Sequence, residues 1–80
     1  MEKRRMGLDA LRPGEYGVLR EILMPGEAKA RMEELGLLPE TELSCLYRAP
    51  HASPAAYADG GAVFALRKKD AAQIVVEAVR

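Results

Sequence analysis

The chain has 80 residues, with twelve basic and twelve acidic side chains that cancel, one histidine and one cysteine. A chain of that length makes one domain, buries only about 60% of the surface its unfolded form exposes, and gains roughly 3–5 kcal/mol from its core, which disfavours a deep cavity of desolvated catalytic groups. Balanced charge argues against the extended positive field with which nucleic-acid binders displace counterions, and a lone Cys45 rules out an intramolecular disulfide and fits a reducing cytosol.

The start, Met1-Glu2-Lys3-Arg4-Arg5-Met6-Gly7, has the positive charge of an export signal, but Asp9, Arg12 and Glu15 interrupt the apolar stretch that should follow. No run approaches the roughly 20 apolar residues that span a bilayer. Residues 1–6 read as a flexible lead. Lys3, Arg4 and Arg5 could attract anionic lipid at about 1 kcal/mol each, although three charges at a frayed end are usually just solvated.

Arg12-Pro13-Gly14-Glu15 is a type II turn signal, because proline presets φ and glycine accepts a positive φ. The first strand follows, Tyr16 to Leu23, with Tyr16, Val18 and Ile22 assigned to one face. Met24-Pro25-Gly26 closes it. From Glu27 to Leu35 the period becomes helical, with Ala28, Met32 and Leu35 on an inward face and Lys29, Glu33 and Glu34 outward. Gly36 suits the left-handed residue past the helix end, Leu37 supplies the apolar contact that accompanies such a cap, and Pro39 blocks continuation.

Glu42 to Arg48 reads as a strand with Leu43, Cys45 and Tyr47 on one face. The prolines of Ala49-Pro50-His51-Ala52-Ser53-Pro54 make a loop, and Ala55 to Ala58 a weak strand. Asp59-Gly60-Gly61 carries the chemistry of a type I′ hairpin. Ala62 to Arg67 alternates as a strand, Lys68 to Gln73 is one helical turn, and Ile74 to Val79 is the last strand. The expected fold is therefore mainly β. It is a closed or nearly closed barrel of about five strands over residues 1–80, with a short helix between the first two long strands and a helical turn before the last.

The segments Leu11 to Glu15, Arg31 to Pro39, Arg48 to Pro50 and Ala65 to Ile74, in that order, resemble the FeoA family. The resemblance implies an SH3-like barrel. It also implies a cytoplasmic accessory role in bacterial ferrous iron uptake, at the inner face of the membrane through its partner, the membrane G-protein transporter FeoB. A related barrel ends the iron-dependent repressors of the DtxR type, so a metal-responsive or metal-binding module is the alternative. Three departures from the family pattern bear on local shape, the first being Ala52-Ser53 where Gly-Asp is usual before the second proline of the loop after Pro50. Glu40 stands where glycine is usual after Pro39, which suggests a type I turn in place of type II. Alanines at 55, 56 and 58 suggest a short or irregular strand.

Catalytic chemistry finds little support in the residues. His51 has no second histidine to complete a metal site, and a solvated loop histidine is the simpler reading. Cys45 alternates with Leu43 and reads as a core thiol. No phosphate-binding glycine loop occurs. The expectation is a non-enzymatic protein with no cofactor beyond weak transition-metal binding. Its candidate partner-binding residues are Lys29, Glu33, Glu34, Leu37 and Leu38, where adjacent leucines cannot easily both point inward. Self-association through the helix or an open barrel edge is a further possibility.

Overall fold

A computed structural model describes residues 3–79. Its strands are β1 (Lys3–Gly7), β2 (Tyr16–Ile22), β3 (Glu42–Arg48), β4 (Ala55–Ala58), β5 (Val63–Leu66) and β6 (Ile74–Val79). The helix α1 (Gly26–Glu34) joins β2 to β3, and the single turn α2 (Lys68–Ala71) precedes β6. All six strands form one antiparallel sheet in the order β1-β6-β2-β3-β4-β5.

The sheet has six strands, one more than expected, because Lys3–Gly7 pairs along its whole length with β6. Its composition, three basic residues and little β-propensity, hides it. Met6 opposite Val76 and Gly7 opposite Val75 supply the partner that makes the strand. Residues 1 and 2 of the expected flexible lead lie outside the described residues.

Two register shifts decide which side chains reach the core. In β2 the pairing with β6 slips between Leu19 and Glu21, so Leu19 and Ile22 are both buried while Tyr16 is exposed. The face proposed from simple alternation, Tyr16 with Val18 and Ile22, is therefore split by the bulge. In β3 the shift lies between Cys45 and Tyr47. Cys45 stays opposite Tyr57 in the core, and Tyr47 moves to the outer face opposite Ala56.

The core is built from Leu8, Leu11, Leu19, Leu37, Leu43, Tyr57, Ile74 and Val76, all almost fully buried. β4 is short, at four residues, as its alanines suggest, but not irregular in its pairing with β5: all four residues pair with that strand, and Ala55, Ala56 and Tyr57 are buried. Small side chains there leave room for Tyr57 and Phe64, which sit directly opposite one another. Burial pushes the Tyr57 hydroxyl up to about 12.

The first turn forms as its residues predict, and the turn between β4 and β5 does not. Glu15 N–H donates to the Arg12 carbonyl at 2.9 Å, and Gly14 takes φ 91°, the type II turn expected. That turn is held against β3 by Gly14 N–H to the Cys45 carbonyl at 2.9 Å and Cys45 N–H to the Glu15 carbonyl at 3.0 Å. Between β4 and β5, only Gly60 of the two central glycines has a positive φ, so the hairpin is not type I′. Asp59 Oδ1 accepts instead from Gly61 N–H at 3.0 Å and Ala62 N–H at 2.8 Å, and this local bonding sets the turn.

Candidate partner-binding surface

The helix α1 stands off the barrel. None of its residues is buried, and Ala28 and Leu35, expected to face inward, are exposed. Only Met32 of that set packs partly against the core. The cause lies just after the helix. Leu37 N–H donates to the Met32 carbonyl at 3.1 Å and Gly36 N–H to the Glu33 carbonyl at 3.0 Å, with Gly36 at φ 101°. This is a Schellman cap, and its apolar contact is made by Leu37, which is only 1% exposed. The chain after the helix, more than the helix itself, anchors the segment to the core.

Lys29 and Glu34 are exposed, as expected of outward residues, whereas Glu33 is half-buried. Leu37 and Leu38 separate as their adjacency demands, but Leu37 is core and therefore leaves the candidate binding set. Leu38 is 48% exposed and Leu35 is 50% exposed, so two leucines flank the rigid cap with their side chains in solvent.

The following turn is fixed from below. Thr41 N–H donates to the Leu38 carbonyl at 3.1 Å, Glu40 N–H to the Leu19 carbonyl at 2.9 Å, and Leu19 N–H to the Thr41 carbonyl at 2.8 Å. Glu40 holds φ 75°, so the expected type I turn is overturned: the residue accepts the left-handed conformation that Pro39 at the preceding position sets up. Its carboxylate receives a hydrogen bond from Arg20 Nη1 at 2.7 Å. Arg20 Nε lies 3.4 Å from Glu77 Oε1, and Arg5 Nε lies 3.5 Å from the same oxygen. The Glu77 and Glu40 carboxylates hold the Arg20 guanidinium above its ordinary pKa, against the opposing effect of burial.

A second feature was not read in the sequence. A cleft of about 570 Å³ opens beside β1, lined chiefly by Arg4, Arg5, Met6, Arg12, Tyr16 and Ala78. The basic run at the start was visible, but only the pairing of β1 with β6 brings it to the Pro13–Gly14 turn.

The remaining candidates for chemistry are placed plainly. His51 is exposed in its loop, at φ 65°. Among the described residues no group of three or more histidine, cysteine or acidic side chains is arranged to hold a metal. Cys45 is buried, and burial pushes its thiol above the ordinary value despite the nearby Arg48. The Arg48 guanidinium itself is bound to the main chain, donating through Nη2 to the Asp9 carbonyl at 2.9 Å and to the Leu11 carbonyl. No helix among the described residues is long and apolar enough to cross a membrane.

Comparison with known proteins agrees with this arrangement. The family model described as the FeoA domain matches residues 6–78. A crystal structure of an iron uptake regulatory protein, FeoA, superposes with a TM-score of 0.85 at 26% identity, over 95% of this chain and all of that one. The solution structure of iron(II) transport protein A from Clostridium thermocellum gives 0.86 at 30% identity, over 92% of this chain and 46% of that one. The zinc complex of FeoA from Stenotrophomonas maltophilia, described as a prokaryotic SH3 domain protein, gives 0.76 at 27% identity, over 89% and 88%. A manganese-dependent transcriptional repressor shares the fold at 22% identity, with this chain covering 44% of its length. No curated protein sequence matches the chain.

Proposed function

The chain belongs to the FeoA domain family, and from that premise we propose that it is an accessory protein of ferrous iron uptake that docks on the cytosolic part of the FeoB-type membrane transporter through Leu35, Leu38 and the charged residues beside them. The observation that carries the docking surface is the pair of solvent-facing leucines held on either side of a rigid cap, while Leu37 between them is spent on the core. Apolar side chains left in water at fixed positions are ready to be buried by a partner, and Lys29, Glu33 and Glu34 form the polar rim that such interfaces carry. Binding at that surface would couple the accessory protein to the transporter's assembly or nucleotide cycle.

The test is affinity capture of the tagged protein from its native cells, with wild type beside Leu38→Glu. Retrieval of the transporter by wild type and its loss in the variant supports both partner and surface. Retrieval by both removes Leu38 from the interface, and retrieval by neither removes the partner.

A further inference from the structure

The two edges of the sheet are built differently. β1 has only β6 as its strand neighbour and β5 only β4, so each leaves its other side unpaired. Arg4 and Arg5 set charge along β1, a usual protection of an edge that stays open. From Gly60 to Leu66, by contrast, no residue is charged and none is proline. Only its length of four residues restrains β5 as a template for another strand.

The register shows which main-chain groups face outward. Asp59 N–H donates to the Ala62 carbonyl at 3.1 Å, so these two residues form a hydrogen-bonded pair just outside the ladder. Hydrogen-bonded and non-hydrogen-bonded pairs alternate along antiparallel strands. Tyr57 with Phe64 and Ala55 with Leu66 therefore bond across β4 and β5, whereas Val63 and Ala65, opposite Ala58 and Ala56, turn their N–H and C=O groups away from β4. Among the described residues no strand takes up those groups. The side chains stand in solvent as well: Val63 is 65% exposed, and Ala65 is exposed.

We propose that β5 pairs antiparallel with β5 of a second copy of this chain, across a two-fold axis at Phe64. In that register Val63 of each copy falls opposite Ala65 of the other, and both pairs exchange the N–H···O=C bonds that the edge leaves unmade. Ala65 already extends the uncharged outer row of Tyr47 and Ala56, and Val63 and Ala58 of the second copy continue it. Charge favours a second copy over an unrelated strand. Arg67, Lys68 and Lys69 follow β5 and Asp59 precedes it, so antiparallel pairing sets the basic end of each copy beside the acidic turn of the other. β5 spans roughly 13 Å, too short to bury the area of about 1,200 Å² that a stable interface needs, so the dimer is weak and forms at high local concentration.

The experiment is sedimentation velocity of the full chain from about 10 μM to about 1 mM, where a weak interface equilibrates. Wild type should move from monomer toward dimer as concentration rises. Ala65→Pro removes an edge N–H group, and Val63→Lys adds a charge of the kind that guards natural edges, so each should weaken the dimer by about tenfold or more. Urea midpoints near wild type show that the variants fold, and the exposed Val63→Lys carries the test if proline disturbs β5. Leu38→Glu, at the surface proposed for the transporter, should dimerise like wild type, which keeps the two contacts distinguishable. A wild type that stays monomeric at about 1 mM overturns the pairing and leaves the edge to a strand of another protein. Dimerisation of Val63→Lys at wild-type strength, or loss of the dimer in Leu38→Glu, overturns it by placing the contact elsewhere.

Discussion

The carboxylate of Glu40 meets the guanidinium of Arg20 at 2.7 Å at the very residue where the main chain is strained, Glu40 standing at φ 75°. A left-handed conformation costs a non-glycine residue about 1–2 kcal/mol. Three main-chain hydrogen bonds tie that turn to Leu19 and close it on Leu38, each worth about 0.5–1.5 kcal/mol. The ion pair adds at most about 1 kcal/mol, since the Glu40 side chain is three-quarters exposed. The main chain therefore dictates the conformation, and the side chain tolerates it.

It follows that glycine and alanine at position 40 should differ in a definite direction. Both remove the contact with Arg20, but only glycine also relieves the strain. Glu40→Gly is expected to be more stable than Glu40→Ala by about 1 kcal/mol, read as a difference in urea unfolding free energy. An alanine variant as stable as the glycine one would show that φ is not positive there.

The two neighbouring leucines should part in the same assay. Leu37 is buried in the core, so Leu37→Ala should cost about 2–5 kcal/mol, a large share of what so small a domain has to lose. Leu38 projects into solvent, and Leu38→Ala should stay within about 0.5 kcal/mol of wild type. Comparable losses at both positions would mean that Leu38 packs, and would remove it as a contact for the transporter.

What the sequence announced were features encoded by a few adjacent residues. Pro13-Gly14 marked its turn, Gly36 and Leu37 the end of the helix, and the bounds of β3, β4 and β6 stand where composition put them. What it hid depended on distant partners. Lys3–Gly7 becomes a strand only against β6, and the bulges at Arg20 and Leu46 part Tyr16 from Ile22 and Tyr47 from Leu43 and Cys45, which alternation alone groups together. Helical spacing assigned Ala28, Met32 and Leu35 to an inward face, yet only Met32 packs against the core, because periodicity does not say whether a barrel lies beneath. The adjacency of Leu37 and Leu38 was visible as an anomaly, but the exposure of Leu35 was not. The arginine-lined cleft was not, because its walls are far apart in the chain.

Acid stability offers a test of the β4–β5 turn. The backbone N–H groups of Gly61 and Ala62 bond the Asp59 carboxylate and lower its pKa from the ordinary 3.8, against a smaller opposing effect of burial. A carboxyl group with a depressed folded pKa contributes stability that is complete above its unfolded value and is lost as pH falls through the folded one. Asp59→Asn keeps an acceptor oxygen but does not titrate. Its urea midpoint should fall less than that of wild type as pH is lowered from neutral through the carboxylate range. Parallel acid limbs for the two proteins would mean that the turn does not bind the carboxylate.

Cys45 provides the last check, because it reports directly on the core. The thiol is 1% exposed and its Sγ–H reaches the Tyr47 carbonyl at 3.9 Å. Burial raises its pKa above the ordinary 9.0, while the charge of Arg48 pulls the other way. The thiolate is the reactive form, so both access and ionisation protect the residue in the folded protein. Alkylation by iodoacetamide at mildly alkaline pH must then wait for the domain to open. It should run slower than in concentrated urea by roughly a hundredfold, the population factor for an opening free energy of about 3 kcal/mol. The raised pKa also means that the thiol's contribution to stability is complete below the unfolded value and is lost as pH rises through the folded one. Native alkylation within about tenfold of the unfolded rate would contradict the packing of Cys45 against Tyr57, and with it the β3–β4 register on which the outward turn of Tyr47 depends.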